Sequence, residues 1–522
     1  FRFASPVATS LMFTHNFWSL AADFADDRVS LAQAGHWMSG LNRRFNYGGD
    51  SARFVDVVGR RTIWRSRSWR RPSFKRVLSI ASAMASRPDG SLPKQHGDWA
   101  DLKAAYRFYN NAKVTPDALR VEHLNHVRTN CAGRTTILCV QDGSELDYTS
   151  HKAVQGLVFV GDGRGQGLLQ HSSLAVTTEG SVLGVLHQIW WKRVRTPDGE
   201  TRKQRRSRPK ESDLWGQSMR AVAALRLPCR VIHVCDRGAD IFETMHEAQK
   251  QNEGFLIRAE HDRRIEDGQE KLWEFMQRQL IMGMRVVEVA PRSVRGGKPA
   301  QPGRTARCAL RFAPVRIPPP GNDPRFKTTI TAWAVYLIEL DPPAGVDPIE
   351  WMLLTSEPVT DLDQANTRVT WYTFRWRIEE WHKAVKTGCR LEAAQFETVE
   401  AIERLATMVG IVAVRMLQLR DAAQATLAAS DNVLPSEQPQ VLQALAPWAW
   451  IVVVSGLAKC APESLTPKLF WRTIARRGGF IGRKSDGHPG WQTIWRGWSE
   501  TAIRVEAFEA AYAHLQARES CG

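Results

Sequence analysis

One segment of the 522-residue chain carries a set of side chains that could do chemistry together. Residues 372–386 lack helix-breaking residues and contain many good helix formers, so their composition predicts a helix. At roughly 100° per residue, five of their side chains share a stripe about 80° wide. These are Tyr372, Arg375, Glu379, His382 and Lys386. A carboxylate can bind a divalent metal, while the phenol and the cations can bind phosphate, so the stripe indicates phosphodiester chemistry.

Two other interpretations use the same residues. A solvated, salt-bridged helix face would also place Arg375 four residues before Glu379, which is an ordinary helical ion pair. The spacing of Glu379 and His382 is also that of the di-iron motif in helical bundles, but such a bundle needs a second motif on another helix. The sequence contains no second motif at comparable spacing. The salt-bridged face therefore stays open as the alternative to a phosphate-binding stripe.

Two aspartates follow apolar segments that have the composition of β-strands. Asp142 comes directly after residues 135–141, and Asp236 comes directly after residues 230–235. Ligands collect at the carboxyl ends of strands in α/β sheets, where rigid backbone holds the side chains. Together with Glu379 from a helix packed on the sheet, the two aspartates could bind two magnesium ions about 4 Å apart. Either aspartate alone could instead cap a turn or a helix.

The rest of the chain predicts the elements that must position these residues. Residues 75–124 have a helical pattern, with one helix over 98–109 and another that Thr115 caps. The character then changes, and residues 283–354 alternate apolar and polar positions as a β-rich insertion would. Beyond residue 401 the pattern is mostly helical. Further strands are expected over 172–177, 182–189 and 255–259, and a helix over 212–225.

The overall charge favours a polyanionic partner. Lysine and arginine number 71 against 54 aspartate and glutamate residues, which gives a formal charge of +17, and the chain contains 20 tryptophans. Basic residues are dense over residues 60–76 and again over 192–210. The first run has the composition of a DNA-contacting arm, but equally that of a disordered basic tail.

Cysteine usage and hydropathy favour an intracellular protein. None of the eight cysteines forms a C-x-x-C pair, which argues against a zinc ribbon or redox motif and fits reduced thiols. The longest apolar run, residues 445–458, is shorter than the roughly 20 residues of a membrane span, so a buried segment is expected there. The histidines at positions 151, 171, 187 and 233 have no metal-ligand spacing and are expected to be structural.

The sequence resembles the DDE transposases of the insertion-sequence-four family, most closely the transposon-five type. That family is marked by Tyr-x2-Arg-x3-Glu-x6-Lys, a spacing that residues 372, 375, 379 and 386 reproduce. The resemblance extends from about residue 76 to the C-terminus. Further segments that match the family are residues 104–109, 186–191, 235–240, 351–359 and 475–480.

The resemblance implies an α/β fold with an RNase H-like catalytic core and a β-rich insertion. A helical N-terminal DNA-binding domain and a helical C-terminal dimerisation domain flank this core. The domains expected on this basis are an extension of unclear order over 1–70, the DNA-binding domain over 71–126, the catalytic domain over 127–425 with its insertion at about 260–354, and the dimerisation domain over 426–522.

The resemblance also implies roles for individual residues. Asp142, Asp236 and Glu379 would form the catalytic triad that binds two Mg²⁺ ions, with Mn²⁺ as a substitute. The residues expected to grip phosphates near the transposon end are Tyr372, Arg375, His382 and Lys386. Trp351 occupies the position where the family stacks a base flipped out of the duplex, and Arg258 matches a DNA-contacting arginine. Glu260 replaces a lysine of the closest relatives, so one phosphate contact is expected to be missing.

The implied activity is cut-and-paste DNA transposition, with metal-dependent nicking, hairpin formation and strand transfer at transposon ends. The partners implied are double-stranded DNA, as end repeats and target, and a second copy of the chain in a synaptic complex; no membrane partner is expected. The implied location is the bacterial cytoplasm, in association with the nucleoid. An alternative is a non-cleaving DNA-binding regulator or inhibitor, because the family includes N-terminally shortened inhibitors that dimerise with the enzyme. A plain magnesium nuclease of the same fold is a third interpretation, and it would cleave without dependence on end sequence.

Overall fold

The computed structural model describes residues 71–520, apart from residues 196, 202–203, 205–206, 267–269, 292–299, 322, 425–434 and 484–485. The described residues form two compact units, one of residues 71–96 with 415–520 and the other of residues 97–414. The expected boundaries at residues 126 and 425 do not coincide with these units, so the N-terminal helical segment is divided between them. The expected extension over residues 1–70, with most of the basic run 60–76, lies outside the described residues.

Helices form both ends of the described chain, and further helices lie between some of the strands. The helices are α1 (Arg71–Ser86), α2 (Leu92–Gln95), α3 (Trp99–Tyr109), α4 (Pro116–Cys131), α5 (Asp213–Ala224), α6 (Phe242–Lys250), α7 (Leu272–Arg278), α8 (Leu362–Thr373), α9 (Trp376–Lys383), α10 (Val399–Gln424), α11 (Pro439–Leu445), α12 (Trp448–Ala458), α13 (Pro467–Arg477) and α14 (Trp491–Ser520). The strands are β1 (Thr136–Asp147), β2 (Val158–Val160), β3 (Gly165–Val176), β4 (Val182–Trp191), β5 (Arg230–Cys235), β6 (Gly254–Arg258), β7 (Gly283–Val289), β8 (Arg304–Ile317), β9 (Ile330–Glu339) and β10 (Glu350–Thr355).

One mixed sheet of ten strands runs through the unit of residues 97–414. Its order is β2-β3-β1-β5-β6-β10-β9-β8-β7, and β4 also pairs with β3. Strand β1 is antiparallel to β3 and parallel to β5, and β5 is parallel to β6. Strand β10 joins β6 in antiparallel orientation, and β9, β8 and β7 follow it. The strands over residues 283–355, where the sequence analysis expected a β-rich segment, therefore extend this sheet.

Local chemistry accounts for several element boundaries. Helix α3 begins after Asp98, whose side chain accepts a hydrogen bond from the Ala100 amide. Helix α4 begins after Thr115, which accepts in the same way from the Ala118 amide at 3.2 Å. The cap at Thr115 was predicted from the sequence, whereas Asp98 was expected to be the first residue of its helix. The expected hairpin of β3 and β4 is confirmed, and both strands extend beyond the expected limits.

Two apolar clusters hold the helices against this sheet. The larger cluster joins α5, α6 and α7 to β5, β6 and the insertion strands, and it includes Phe242, Met245, Phe255, Val315 and Leu354. A smaller cluster joins α4 and α5 to β1, β3, β4 and β5. Burial of apolar side chains on this scale supplies most of the free energy that fixes the strands and their polar ends. The cysteines in the described part of the chain, seven in number, carry free thiols.

The unit of residues 71–96 and 415–520 has an aromatic core. Trp450 stacks on Trp498 with ring centroids 4.3 Å apart, and Trp491 stacks on Trp495 at 5.3 Å. The apolar run 445–458, expected to be a buried segment, contains α12, whose Trp450, Ile451 and Val454 are buried. None of the helices in the described residues combines the length and the apolar composition that crossing a bilayer requires.

Candidate active site

Strand β1 carries Asp142 in its interior. The expectation that a strand ends just before Asp142 is wrong, because β1 continues to Asp147 as it pairs with β3. The parallel pairing of β1 and β5 sets Val140 beside Val234. Asp142 and Asp236 each lie two residues further along, so the two carboxylates share one level at the carboxyl end of β5. The sheet thus brings the two aspartates together as the sequence analysis expected.

Each aspartate also accepts a local hydrogen bond, and Asp236 has the capping role that was its alternative interpretation. One oxygen of Asp142 accepts from the Gly143 amide at 2.8 Å, and one oxygen of Asp236 accepts from the Gly238 amide at 2.9 Å. Asp236 thereby caps a single 3₁₀ turn at Arg237–Ala239. These bonds orient both carboxylates, and the capping role and a role at the site are therefore compatible.

The single helix expected over residues 372–386 is wrong. Helix α8 ends at Thr373, α9 begins at Trp376, and a π-helical turn follows at Ala384–Gly388. The break coincides with Phe374, whose ring lies against Gly180 in the β3–β4 turn. A Cβ on Gly180, which has a φ of +92°, would lie 2.6 Å from that ring. The expected stripe is therefore divided among three elements. Sequence periodicity does not predict such a division, because it contains no information on contacts between distant segments.

The break places Arg375 between two carboxylates. Its guanidinium lies 2.5 Å from Oε1 of Glu379 and 3.5 Å from Oδ2 of Asp142. The three side chains retain 17%, 32% and 19% of their exposure, respectively. The ion pair between Arg375 and Glu379, which was the alternative interpretation, is thus present, and Arg375 also pairs with Asp142 on β1. Arg375 links the carboxylate on β1 to the carboxylate on α9.

Negative charge is concentrated around Asp142. Burial, together with the neighbouring carboxylates of Asp236 and Glu379, raises the pKa of this carboxyl to about 7. Arg375 and the Gly143 amide oppose this rise of the pKa only in part. The carboxylates of Asp236 and Glu379 therefore both oppose the ionisation of Asp142, and a further cation would favour the ionised form of Asp142.

The donor set has the chemistry of a magnesium or manganese site, since it consists of carboxylate oxygens with excess negative charge. In the part of the chain that the structure describes, however, no three His, Cys, Asp or Glu side chains converge closely enough to bind a metal ion. Arg375 separates Asp142 from Glu379, which accounts for this arrangement. The residues fit a divalent cation in charge and donor type, and the guanidinium now lies where two of them would meet.

An aromatic group adjoins the carboxylates. The ring of Trp351 lies 5.1 Å from that of Tyr372 in an edge-to-face contact, and the Arg258 guanidinium lies 5.8 Å from the centre of the Trp351 ring. Arg258 also donates to the Glu350 carbonyl at 2.8 Å. Burial raises the pKa of the Tyr372 phenol, although Arg375 and Arg258 lower it. Tyr372 therefore connects Trp351 and Arg258 with Arg375 and the carboxylates.

His382 does not lie where the sequence analysis placed it. Its side chain is buried, with 8% exposure, and its Nε2 has no hydrogen-bond partner among the described residues. Burial, together with nearby Lys386 and His171, lowers the pKa of the imidazole to about 3. The sequence analysis expected His382 on the phosphate-binding stripe, whereas α9 turns its side chain into the interior.

Lys386 lies on another side of the site. Its ammonium group donates to the Glu145 carbonyl at 2.7 Å and pairs with Glu392 at 3.2 Å. The Glu145 carboxylate pairs with Arg193, which also pairs with Glu211 at 2.8 Å. Lys386 and Arg193 therefore place two cations beside the strand that carries Asp142.

Glu145, Arg193 and Glu211 border a cavity of about 450 Å³. Its walls include Asp142, Glu145, His171, Arg193, Trp215 and Asp236. The sequence analysis missed Glu145, Arg193 and Glu211 as neighbours of the site. The dense positive charge of residues 192–210 and the position of Glu145 shortly after Asp142 were the available signals.

A buried polar chain crosses the sheet beside the site. The Nε2–H of His171 donates to Oε1 of Gln141 at 3.0 Å, and the Gln141 amide donates to Nδ1 of His233 at 2.7 Å. The Nε2–H of His233 donates to Glu253 at 2.6 Å, which completes a chain across β3, β1, β5 and the start of β6. Gln141 and His233 are fully buried. The chain agrees with structural roles for both histidines, and it holds the residue that precedes Asp142.

Two family models match parts of this chain. The model described as Transposase DNA-binding matches residues 73–114, and the model described as Transposase Tn5 dimerisation domain matches residues 448–518. The two matches support a Tn5-type transposase. The matched residues lie in the N-terminal helices and in the C-terminal helices. Neither of these two matches covers the candidate active site.

A solved structure also shows similarity to this chain. It is the cryo-EM structure of the piggyBac transposase synaptic complex with hairpin DNA, and the alignment covers 87% of this chain and 82% of that chain. The identity is 9% and the TM-score is 0.32. A likeness at this level carries no argument about the site.

Proposed function

We propose that this protein is a cut-and-paste DNA transposase whose catalytic triad is Asp142, Asp236 and Glu379. The observation that carries the proposal is the placement of the two aspartates beside each other on the sheet, with Glu379 linked to Asp142 through Arg375. Asp142 and Asp236 share one level on neighbouring strands, and Arg375 joins Asp142 to Glu379. The transposase DNA-binding and dimerisation segments at the two ends of the chain supply the context.

The sheet supports an RNase H-like core for this enzyme. Strands β4, β3 and β1 are antiparallel neighbours, and β5 and β6 then continue the sheet in parallel with β1. The first aspartate lies on the central strand, and the second follows the adjacent parallel strand. This topology places both carboxylates at an edge where ligands of α/β proteins collect.

The triad is the proposed binding site for two divalent cations, Mg²⁺ or Mn²⁺. Bound there, the cations would activate a water or a 3′-hydroxyl and stabilise the oxygen that leaves phosphorus. The protein contributes the fixed orientation of Asp142 and Asp236, which hydrogen bonds to backbone amides maintain. It also contributes concentrated negative charge, which attracts cations to the position of the reacting phosphate.

The DNA-binding part of the proposal assigns phosphate contacts to Tyr372, Arg375 and Lys386, next to the carboxylates. Trp351 would stack a base flipped out of the duplex at the transposon end, with Arg258 beside it. An indole offers a stacking face that accepts any base and offsets the cost of unstacking. The edge-to-face contact with Tyr372 and the guanidinium of Arg258 hold this ring close to the triad.

The proposed reaction begins with hydrolysis that nicks the transposon end and frees a 3′-hydroxyl. That hydroxyl attacks the opposite strand and forms a hairpin, and water then reopens the hairpin. The freed 3′-hydroxyl finally attacks target DNA. Each step is an in-line displacement at phosphorus in which one P–O bond forms and another breaks, so one triad can serve all of them. Two chains, joined through their C-terminal helices, would hold two ends in one complex.

The test is cleavage of an end-labelled duplex that carries the terminal repeat flanking the coding sequence. The same protein is given a scrambled duplex of equal length, and both are assayed with Mg²⁺ and with EDTA. Magnesium-dependent cleavage at the repeat boundary, absent from the scrambled duplex, is the expected result. Specific binding without cleavage would identify a regulator instead, and equal cleavage of both duplexes would identify a plain nuclease.

A further inference from the structure

Arg375 is the counterion of two candidate metal ligands. Among the described residues, no other cation forms an ion pair with Asp142 or Glu379. The guanidinium is held from two sides, by an oxygen on β1 and an oxygen on α9. Its side chain is 17% exposed, so little water competes for these contacts.

The position of the guanidinium conflicts with a cation shared by the same two carboxylates. Mg²⁺ binds carboxylate oxygens at about 2.1 Å, and it requires nearly regular octahedral geometry. One guanidinium nitrogen lies 2.5 Å from the Glu379 oxygen and another lies 3.5 Å from the Asp142 oxygen, so the guanidinium already occupies the space between these carboxylates. A divalent ion bound by both Asp142 and Glu379 therefore requires Arg375 to move away.

A DNA phosphate is a suitable new partner for the displaced side chain. A guanidinium presents five donors in a planar fork that matches phosphate oxygens, and it stays charged at any physiological pH. Tyr372 and Arg258 lie beside Arg375 and contribute two further phosphate-binding groups. Movement from carboxylate to phosphate exchanges one charged partner for another, so the guanidinium is never left buried without a counterion.

We propose that Arg375 acts as an internal counterion that keeps divalent cations weakly bound until DNA arrives, and that DNA phosphate draws it away from Asp142 and Glu379. This inference rests on the proposed function, since it assumes that the triad binds metal and that DNA reaches it. Binding of DNA and metal is then mutually reinforcing, because each favours the same position of Arg375. The consequence is a protein that does not assemble its cleavage site away from a DNA end.

The experiment measures Mn²⁺ affinity by electron paramagnetic resonance of the free ion, in full-length protein without DNA. Arg375→Gln removes the charge and keeps a polar side chain, and Arg375→Lys keeps the charge but cannot bridge two carboxylates. Arg377→Gln is the matched control, because Arg377 pairs with Glu380 at 3.0 Å in the same helix. We expect Arg375→Gln to bind Mn²⁺ at least about tenfold more tightly than the wild type, Arg375→Lys to lie between them, and Arg377→Gln to match the wild type.

The second arm adds a duplex of the terminal repeat whose 3′-end already lies at the cleavage boundary, so that affinity is measured without turnover. We expect this duplex to raise the Mn²⁺ affinity of the wild type about tenfold and to change that of Arg375→Gln by less than threefold. Circular dichroism establishes whether the variants fold. If they do not, the effect of the duplex on the Mn²⁺ affinity of the wild type tests the inference by itself.

Equal or weaker Mn²⁺ binding by folded Arg375→Gln would overturn the inference, as would a wild-type affinity that DNA leaves unchanged. Cleavage activity plays no part in these measurements. A protein that fails to cleave its repeat can still show the effect, and a protein that cleaves can lack it, so the two proposals succeed or fail separately.

Discussion

Asp142 and Asp236 lie at the same level on two neighbouring parallel strands, and the carboxylate of Asp236 contributes to the raised pKa of Asp142. Rigid sheet backbone enforces this proximity, so the repulsion is part of the folded state in the absence of a cation. A protein that holds like charges this close together is less stable than the same fold without them. Such charges are retained because function requires them.

The first prediction concerns that repulsion. The pKa of Asp142 is raised to about 7 from 3.8, so between these pH values the folded protein binds a proton that the unfolded chain releases. Stability therefore falls as pH rises from about 4 to 7 and stays low above that. In EDTA at pH 8, Asp142→Asn should be more stable than the wild type by about 2–4 kcal/mol, and below pH 4 the difference should vanish.

Urea unfolding at several pH values, followed by circular dichroism, measures this difference. Asp147→Asn on the same strand is the control, because hydrogen bonds from Thr149 lower the pKa of Asp147 and make its charge favourable. An Asp142→Asn protein that is less stable than the wild type at pH 8 would contradict the electrostatic account.

The second prediction concerns the stacking surface. Trp351→Ala should slow hairpin formation by about 10- to 100-fold, because base stacking on an aromatic ring contributes about 1–3 kcal/mol. Binding of the repeat should change by less than about threefold, and Trp351→Phe should retain most of the activity. Fluorescence of 2-aminopurine at the terminal base reports extrusion of that base directly. Unchanged fluorescence in Trp351→Ala would exclude stacking on this residue.

The third prediction concerns Glu260, which pairs with Arg237 at 3.1 Å directly beyond Asp236. Glu260→Lys should release Arg237 and add one cation, so binding to the repeat should tighten about three- to tenfold and depend more steeply on salt. Glu266→Lys makes the same change in charge at a residue that pairs with Arg316. Fluorescence anisotropy at several salt concentrations compares the two. Equal effects of both substitutions would show that only net charge matters.

The fourth prediction concerns His382. Its pKa is lowered to about 3, so below pH 6.5 the unfolded chain binds a proton that the folded protein does not, and stability is lost as pH falls. His382→Leu should remove about 3 kcal/mol of the loss between pH 6.5 and 4, and it should leave DNA affinity within twofold of the wild type. Thermal unfolding from pH 4 to 8 measures the first effect. A large loss of DNA affinity would restore His382 as a phosphate contact.

The elements that local chemistry determines were predictable from the sequence. Asp98 and Thr115 cap helices because their side chains satisfy amides that the first turn leaves open, and a sequence shows such residues directly. The aspartate after β5 was predictable for a similar reason, since a polar residue that ends a buried strand must lie at the edge of the sheet.

The features that depend on distant contacts were not predictable in this way. The break at Phe374 coincides with a contact between this residue and Gly180, which lies far away in the chain. That break turns His382 inward and sets Arg375 beside Asp142 as well as Glu379. Sequence periodicity predicts the positions of side chains around a single helix axis. The prediction fails where tertiary packing divides a segment into several elements with different axes.

The most direct test of the central claim compares the three carboxylates one at a time. Asp142→Asn, Asp236→Asn and Glu379→Gln should each lower magnesium-dependent cleavage of the repeat duplex by about a thousandfold, because each removes a ligand whose cation stabilises the transition state by several kcal/mol. Their binding to the repeat should stay within about threefold of the wild type, and Glu380→Gln, one residue away, should cleave normally. A triad variant that keeps more than about a tenth of wild-type cleavage would contradict the assignment of that residue.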